Sequence, residues 1–415
     1  MNKKTIRDIE TAGKRVLIRV DFNVPMEKSV ITDETRIIKT LPTIRYLIDK
    51  GAKVILATHL GRPKGKFVPE YSVKPVAQYL SIILGQEVLF AADCGGEESK
   101  KITAEMKPGQ VVLLENTRFY AGEEKNDPEM SSSLAKLADI YVNDAFGAAH
   151  RAHASTEGVA HFLPAVAGLL MEKEISILTE VLNKPKAPFL AILGGAKVSD
   201  KIPVMKSLLD KVDTLLVGGG MANTLLKASG IDMGESLIED EVIEEARSIL
   251  LQAEKKNVKV LLPLDVVIAQ ELKADVEIRV TAIEDIPTGW LALDIGPKTI
   301  KAYIEMINNA ATILWNGPLG VYEIEQFSQG TNKIADAVAN SAARTVIGGG
   351  DVVAAVEKAG LADKIYHIST GGGATLEFLE GRILPGLEAL QEREEDTGNA
   401  PSHNWSELEN AQDYS

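Results

Sequence analysis

Short apolar runs that end in glycine or polar residues recur along the whole chain. The runs are 16–22, 54–59, 111–116 and 141–146 in the first half, and 189–195, 214–220, 259–265, 290–296, 312–318 and 344–350 in the second. They are continuous rather than alternating, which predicts strands buried on both faces. Helical patterns such as 240–256 separate several of them, as in βαβ units. The pattern therefore predicts an α/β fold with parallel sheets.

The number of runs favours two domains. A chain of 415 residues is longer than one ordinary domain. Ten strands fit two doubly wound, Rossmann-like sheets better than one. The stretch 169–185 predicts one amphipathic helix, closed by Asn183 and Pro185, that joins the two domains at a hinge. We therefore expect domains over 1–168 and 186–381.

Composition agrees with a globular protein and favours the cytoplasm. Hydrophobic residues make up 45% and charged residues 25%, values that exclude a mainly disordered or collagen-like chain. No apolar run approaches the ~20 residues that span a bilayer, and the first residues lack a secretory signal pattern. The single cysteine, Cys94, cannot form an intrachain disulfide.

The net charge of −14 is uneven along the chain. Residues 1–170 carry 23 Lys and Arg against 21 Asp and Glu, a net of +2, whereas residues 171–415 carry 22 against 38, a net of −16. Such an acidic protein is a poor partner for nucleic acid or an anionic membrane. Residues 391–415 alone carry −6 without a strand pattern, and we expect a disordered tail there.

Arginine and histidine follow the strand ends of the first half, where an open α/β sheet binds its ligands. The residues at these ends are Asp21, Asn23, His59, Arg62, Asn116, Arg118, His150, Arg151 and His153, with Arg36 further along the chain. Arginine matches the oxygens of carboxylates and phosphates in two-point contacts. A small, highly anionic ligand explains the set best. Zinc is a weaker reading of the histidines, because no nearby cysteine or acid completes a tetrahedral set.

Glycine-rich loops follow the strand ends of the second half, including 193–201, 217–223, 315–320, 347–351 and 369–375. Such loops let backbone N–H groups approach phosphate at a helix N-terminus. Lys197 and Lys201 lie four apart, and at helical spacing they would share one face suited to an anion. Asp351 could cap a helix or hold Mg²⁺. We infer a Mg–nucleotide site in this half.

Several known fingerprints are missing from the sequence. No Walker A motif, G-x-G-x-x-G dinucleotide motif or G-x-S-x-G elbow is present. One lobe for a polyanion and one for a Mg–nucleotide together favour a phosphoryl transferase that closes two domains around its substrates.

These residues fall in motifs that resemble the phosphoglycerate kinase family over about residues 1–390. The motifs are RVDFNVP (19–25), THLGRP (58–63), LLENTRF (113–119), VNDAFGAAHRAHAS (142–155), LGGAKVSDKI (193–202), VGGGMANT (217–224), DIGPKT (294–299), WNGPLGVYE (315–323), IGGGD (347–351) and STGGGATLEFLEG (369–381). The resemblance implies reversible phosphoryl transfer from 1,3-bisphosphoglycerate to ADP, by in-line transfer in a closed cleft between the domains. It also implies that residues near 382–390 return to the N-terminal domain, and that the protein is a monomer.

The resemblance further implies a role for each site residue. Phosphoglycerate would be held by Asp21, Asn23, Arg36, His59, Leu60, Gly61, Arg62, Arg118 and Arg151. The Mg–nucleotide would be held by Gly195, Ala196, Lys197, Lys201, Gly219, Asn316, Pro318, Glu323, Gly349, Gly350, Asp351 and Val352, with Asp351 on the Mg²⁺. The transferring group would be stabilised by Arg36, by Lys197 and by the segment Gly371–Gly373. Within that segment, Gly372 and Gly373 are the expected catalytic residues.

One position departs from the family pattern. The family commonly has Ser or Thr after the aspartate of GGGD, and this chain has Val352. We expect weaker binding of the nucleotide phosphates from the missing hydroxyl. Two other readings remain open at this point: a nicotinamide oxidoreductase, which lacks its glycine fingerprint, and a two-lobed binding protein that has lost turnover.

Overall fold

The computed structural model describes residues 2–393. Its strands are β1 (Arg15–Arg19), β2 (Met26–Glu27), β3 (Val30–Ile31), β4 (Lys53–Ala57), β5 (Val88–Ala91), β6 (Val111–Leu114), β7 (Ile140–Asn143), β8 (Ala165–Ala167), β9 (Phe189–Leu193), β10 (Thr214–Val217), β11 (Lys259–Leu261), β12 (Asp265–Ala269), β13 (Ile278–Ala282), β14 (Leu291–Ile295), β15 (Thr312–Asn316), β16 (Arg344–Gly348) and β17 (His367–Ile368). Its α-helices are α1 (Thr35–Asp49), α2 (Lys74–Leu84), α3 (Glu97–Glu105), α4 (Pro128–Ala135), α5 (Leu169–Asn183), α6 (Ile202–Leu208), α7 (Gly219–Ala228), α8 (Ile243–Lys255), α9 (Pro297–Asn309), α10 (Gln329–Ala339), α11 (Gly350–Lys358), α12 (Gly373–Leu379) and α13 (Pro385–Glu388).

Two six-stranded parallel sheets organise the molecule. The N-terminal sheet has the order β5-β6-β4-β1-β7-β8, and the C-terminal sheet has the order β11-β10-β9-β15-β16-β17. Within β1, Val16 and Ile18 point into one apolar cluster and Leu17 into another, so both faces of the sheet are covered. The predicted α/β fold with two Rossmann-like domains is confirmed.

Helix α5 joins the two sheets through a continuous core. Its apolar residues Met171, Ile175 and Leu178 lie in the same buried cluster as Leu17 of the N-terminal sheet and Phe189 of the C-terminal sheet. The helix begins as predicted at Leu169 and ends at Asn183, two residues before Pro185. Asp144 caps it, because its Oδ1 accepts the backbone N–H groups of Leu170 (2.9 Å) and Met171 (3.1 Å).

One predicted strand, and the end of another, do not belong to the parallel sheets as expected. The run 259–265 divides into β11 and the start of β12, and the run 290–296 becomes β14. β12 and β14 pair antiparallel in a separate three-stranded sheet with β13. A continuous apolar run predicts burial on both faces, but it does not specify the direction of the partner strand.

The C-terminal residues return to the N-terminal sheet. The amide of Gly386 donates to the carbonyl of Ala149 (2.8 Å), and that of Gln391 to the carbonyl of Ala165 (2.9 Å). Residue Glu392 forms an antiparallel bridge with Lys3. Residues 391–393 of the predicted tail are therefore ordered, and the rest of the predicted tail lies outside the described residues. Between residues 2 and 393, no helix is both long and apolar enough to cross a bilayer.

Candidate functional site

A cavity of about 280 Å³ lies between the carboxyl edge of the N-terminal sheet and the loop that follows β17. Its walls are formed by Asp21, Asn23, Arg36, His59, Gly61, Arg62, Arg118, Gly147, Ala148, His150, Arg151, Gly371, Gly372 and Gly373. Most of the residues predicted to hold a small anion therefore meet in one place. They are joined there by the glycines predicted to face the transferring group.

Arg36 lies in the first turn of α1 and is fixed by the loop after β1. Its Nη1 contacts Oδ2 of Asp21 at 3.1 Å and donates to the carbonyl of Asn23 at 3.2 Å. Asp21 therefore orients Arg36 through one nitrogen, and the other N–H donors of the guanidinium remain available to a ligand. Asp21 also neutralises only part of the positive charge in the cavity. About two fifths of the Arg36 side chain is exposed (39%), so it is accessible from the cleft.

The segment 59–62 is held in place by two asparagines. Oδ1 of Asn23 accepts the amide of Gly61 (2.9 Å), and Asn116 bonds both the amide (3.2 Å) and the carbonyl (2.7 Å) of Leu60. Leu60 itself is buried, so it serves through its backbone. Gly61 has φ +63°, and a Cβ there would lie 2.4 Å from the Tyr71 ring. Only glycine fits at that position.

Arg118 is almost completely buried at the floor of the cavity. Its Nη1 donates to the carbonyl of Gly61 at 2.8 Å, and its Nε lies 3.4 Å from Glu124 but has no hydrogen-bond partner within the described residues. Burial and the nearby charge of Arg151 lower its pKa, while Glu124 raises it. A buried guanidinium with an unsatisfied donor indicates a site built for an anion.

His59 is uncharged and its tautomer is fixed by Arg19. Burial, followed by the charges of Arg19, Arg118, Arg151 and Arg36, lowers the pKa of His59 well below its usual range. Nη2 of Arg19 lies 3.0 Å from Nδ1 of His59. Because a guanidinium can only donate, Nδ1 is the acceptor and the ring proton resides on Nε2. His59 can therefore donate one hydrogen bond into the cavity.

Sequence reasoning missed the role of Arg19. This residue is 1% exposed inside the apolar run of β1. Its Nε donates to Oγ of Ser155 (2.7 Å), which donates in turn to the buried carboxylate of Glu123 (2.5 Å). A lone charged residue in a buried run was the available signal, but Ser155 and Glu123 lie more than a hundred residues away in sequence. Gly147 and Ala148 were also missed, although they lie within the quoted VNDAFGAAHRAHAS motif.

The other two histidines near the cavity are also poor bases. Burial, with the charge of Arg151, lowers the pKa of His150, and burial with the charges of Arg19 and Arg118 lowers that of His153 to about 4. Across residues 2–393, no group of three or more metal-ligating side chains is assembled. The positive charge of the cavity is therefore carried by arginines.

In the C-terminal half, Lys201 and Asn316 form a buried pair. The Nζ of Lys201 donates to Oδ1 of Asn316. Burial lowers the pKa of Lys201 to about 8, against the charges of Asp200 and Asp351 that raise it. An ammonium group only donates, so the amide orientation of Asn316 is settled and its Nδ2 is left as a buried donor without a described partner. This Nδ2 lies beside Gly349: a Cβ placed on Gly349 would be 3.2 Å from it.

Lys197 and Lys201 do not share a helical face, contrary to the sequence prediction. Residues 199–201 form a turn, and α6 begins only at Ile202, with Pro203 in its first turn. Ser199 is held by the carboxylate of Glu239, to which its backbone N–H (2.9 Å) and hydroxyl (2.6 Å) donate. Lys201 is consequently buried, whereas Lys197 is exposed.

Several of the remaining residues that were predicted to bind the nucleotide lie together in a glycine-rich surface. The amide of Gly219 donates to the carbonyl of Leu319 (2.9 Å), and that of Met221 to the carbonyl of Gly195 (3.1 Å). Gly219 has φ +69°, and a Cβ there would lie 2.7 Å from the Gly195 carbonyl. Ala196 is exposed beside Gly195, whereas Pro318 is buried behind this surface.

The loop after β16 presents the start of α11, with Gly350 as its first residue and Gly349 before it. Asp351 is exposed in the first turn, and Glu323 is exposed in the turn after β15. Val352 is fully buried in the apolar cluster with Trp315 and Ile347. Its side chain therefore packs inward, so only its backbone N–H is available at the helix start.

The comparisons with known proteins agree on one family. The family model described as phosphoglycerate kinase matches residues 6–382. A curated phosphoglycerate kinase from Moorella thermoacetica is 58% identical over 393 residues, which cover 95% of this chain and 100% of the relative. One from Chloroflexus aurantiacus is 56% identical over 400 residues, with the same coverage.

Solved structures give the same result. The phosphoglycerate kinase from Coxiella burnetii superposes with a TM-score of 0.86 at 45% identity, over 93% of this chain and 98% of that one. The enzyme from Pyrococcus horikoshii superposes with a TM-score of 0.78 at 35% identity, with the same coverage. The chain therefore belongs to the phosphoglycerate kinase family, the transferases of glycolysis that interconvert 1,3-bisphosphoglycerate and ADP with 3-phosphoglycerate and ATP.

Proposed function

We propose that the family reaction takes place in the cleft described above, with the phosphoglycerate on the N-terminal side and the nucleotide on the C-terminal side. One observation carries this assignment: Arg36 and the glycines Gly372 and Gly373 line the same cavity although they belong to different halves of the chain. A group that passes between two substrates needs donors from both halves around it.

The N-terminal side binds phosphoglycerate through its arginines. Arg62, Arg118 and Arg151 supply charge-assisted donors for phosphate oxygens. The neutral His59 adds one hydrogen bond, and Asp21 and Asn23 offer acceptors for the substrate hydroxyl. Leu60 and Gly61 shape the wall through their backbone. The buried, unsatisfied Nε of Arg118 supports this assignment.

The C-terminal side binds the nucleotide phosphates. Lys201 and Asn316 form its buried floor, and the orphaned Nδ2 of Asn316 is a donor that a phosphate oxygen would satisfy. Gly349, Gly350 and the N–H of Val352 add the start of α11. We assign the exposed Lys197 to the transferring group, and Gly195, Ala196, Gly219, Pro318 and Glu323 to the nucleoside.

Mg²⁺ fits this side. Asp351 is a single exposed carboxylate next to a phosphate-binding surface, which suits an ion that takes most of its ligands from water and substrate phosphates. When bound, the ion neutralises charge on the nucleotide oxygens. The chain's contribution to that site is the carboxylate of Asp351.

The chemistry requires positioning rather than proton transfer. In the direction of ATP use, the carboxylate oxygen of 3-phosphoglycerate forms a bond to the γ-phosphorus, and the bond from that phosphorus to the β–γ bridging oxygen of ATP breaks. The attacking carboxylate is already ionised, so no general base is needed. Arg36, Lys197 and the amides of Gly372 and Gly373 stabilise the charge on the equatorial oxygens.

We assign residues 1–168 to the phosphoglycerate domain, 186–381 to the nucleotide domain and 169–185 to their connection, with residues near 382–390 returning to the first. The shared core through α5 and the contacts of Gly386 support this division. We further propose a cytoplasmic monomer that binds neither nucleic acid nor membranes. Its net charge of −14 supports the latter.

A coupled assay tests the proposal. MgATP and 3-phosphoglycerate are supplied, and the 1,3-bisphosphoglycerate formed is followed through its NADH-dependent reduction. We expect rapid turnover that EDTA abolishes. Arg36→Met should lower kcat by at least a hundredfold with little loss of stability, whereas Arg45→Met, an exposed arginine on the same helix, should leave it unchanged. No turnover by the purified wild-type protein would refute the proposal.

A further inference from the structure

The strand β17 forms the edge of the C-terminal sheet and faces helices α1 and α5. It pairs with β16 on one side only. On the other side, His367 contacts Glu174 of α5, and the next residue, Ile368, has a backbone carbonyl that no strand can satisfy. An edge carbonyl at a buried junction needs a donor from elsewhere.

Lys39 of α1 supplies that donor. Its Nζ donates to the carbonyl of Ile368 at 3.0 Å. Lys39 is one turn along α1 from Arg36, so the two side chains lie on the same face of the helix. Burial lowers the pKa of Lys39, while the charges of Glu174 and Glu357 raise it. Burying the Lys39 ammonium group costs desolvation free energy, which its hydrogen bond to the Ile368 carbonyl offsets. The contact is therefore specific, unlike an exposed surface pair.

Hydrogen bonds within the loop after Ile368 hold it together, so a shift of Ile368 should move the whole loop. The hydroxyls of Ser369 and Thr375 lie 2.7 Å apart, and the amide of Gly371 donates to Oγ of Ser369 at 3.2 Å. The amide and hydroxyl of Thr370 both donate to Glu174 (2.6 and 2.7 Å). Gly372 and Gly373 follow directly and line the cavity opposite Arg36.

We propose that Lys39 is a positioning residue for phosphoryl transfer: it ties α1, which carries Arg36, to the Ile368–Gly373 segment, which carries the glycine amides. This inference rests on the proposed function of the cleft. Lys39 is not among the residues that line the cavity. It acts by fixing the separation of two groups that must surround the same phosphoryl oxygens.

The test compares three variants in the coupled assay with MgATP and 3-phosphoglycerate. Lys39→Met keeps most of the length of the side chain but removes its donor and its charge, whereas Lys39→Arg keeps the donor and the charge. Lys173→Met is the matched control, because Lys173 is an exposed lysine on α5 whose charge acts on Lys39. Hydrogen exchange of the amides in 369–373 gives a second readout that does not depend on turnover.

We expect Lys39→Met to lower kcat at least fivefold while both KM values change less than twofold, since each substrate keeps its own binding residues. Lys39→Arg should recover at least half of the wild-type kcat, and Lys173→Met should match the wild type. Exchange in 369–373 should be at least fivefold faster in Lys39→Met alone.

Other outcomes overturn the inference. Unchanged kcat and exchange in Lys39→Met would show that the contact has no positioning role. An equal fall in Lys173→Met would assign the effect to general electrostatics, and a fall that Lys39→Arg does not rescue, together with a lower Tm, would make Lys39 merely structural. If the wild-type protein has no turnover, the proposed function fails separately, and the exchange rates alone decide whether Lys39 holds the loop.

Discussion

Glu174 in the middle of α5 accepts a hydrogen bond from His367 of β17, with 2.8 Å between Oε2 and Nε2. Both side chains are buried, and the other oxygen of Glu174 accepts the amide and hydroxyl of Thr370. One carboxylate on the connecting helix therefore fixes the two residues that flank Ile368 and Ser369. The two sheets are thus joined through α5 by these hydrogen bonds as well as by the shared apolar core.

Replacing Glu174 by Gln should destabilise the protein by about 2 kcal/mol, because the charged hydrogen bonds at this buried site are lost. Urea unfolding measures the change. Glu180→Gln on the same helix is the control, since Glu180 is half exposed in its pair with Arg344 and should cost less than about 0.5 kcal/mol. Equal effects in both variants would contradict the assigned importance of the buried carboxylate.

The same carboxylate gives a pH dependence with a definite sign. Burial alone would raise the pKa of Glu174, but the bonds from His367 and Thr370 outweigh it, so the pKa lies below the usual glutamate range. A lowered pKa in the folded state means that the stabilisation is present above about pH 4.3 and is lost as the pH falls below that value. The wild-type protein should therefore lose more stability than Glu174→Gln between pH 5 and pH 3.

Lys201 should take up a proton when the nucleotide binds. With a pKa of about 8, its amine is mostly neutral at pH 8.5. The phosphates of ADP favour the charged form, so binding raises the pKa and draws a proton from the buffer. Calorimetry of MgADP binding at pH 8.5, in two buffers with different ionisation enthalpies, measures the uptake. Lys201→Arg stays charged at this pH and should show none. Identical uptake in the variant would assign the proton to another group.

His59 should stay neutral, with its proton on Nε2, throughout the physiological range. Burial and four arginines lower its pKa, and Arg19 occupies its Nδ1. Nitrogen-15 NMR of labelled protein at pH 6 distinguishes the two tautomers and the charged ring, with His59→Gln to assign the signals. Arg19→Met should release the fixed tautomer. A charged ring in the wild-type protein at pH 6 would refute the assignment of His59 as a neutral donor.

Val352 requires a revision of the expectation based on the sequence. Because the side chain lies in an apolar cluster with Trp315 and Ile347, a hydroxyl there points away from solvent. We now expect Val352→Thr to lower the free energy of unfolding by about 1 kcal/mol and to change the nucleotide KM less than twofold. A marked fall in that KM would instead restore the view that the missing hydroxyl weakens phosphate binding.

The sequence was sufficient where burial and residue type determine the result. β1 was predicted because Val16, Leu17 and Ile18 are apolar on both faces, and the place of Arg118 after a strand predicted its position in the wall of the cavity. β14 was assigned to the wrong sheet because strand direction depends on distant partners. Two contacts could not be inferred at all: Arg19 with Glu123 through Ser155, and Lys39 with Ile368, which is 329 residues away.

The contacts of the last described residues, 391–393, can be tested by truncation. Arg393 contacts Asp8 through two nitrogens (2.9 and 2.8 Å), and its amide donates to the carbonyl of Asn2. A stop after residue 393 should leave Tm and kcat unchanged. A stop after 390 removes these contacts and the Lys3–Glu392 pair (2.7 Å), and it should lower the free energy of unfolding by about 1 kcal/mol, a small amount because the ionic groups are partly exposed.

The difference between the two truncations should also depend on pH. Burial raises the pKa of Asp8, but Thr5 and Arg393 lower it overall, so the difference in stability should shrink as the pH falls below about 3.9. Equal stability of both truncations at pH 7 would mean that the contacts of residues 391–393 do not stabilise the protein.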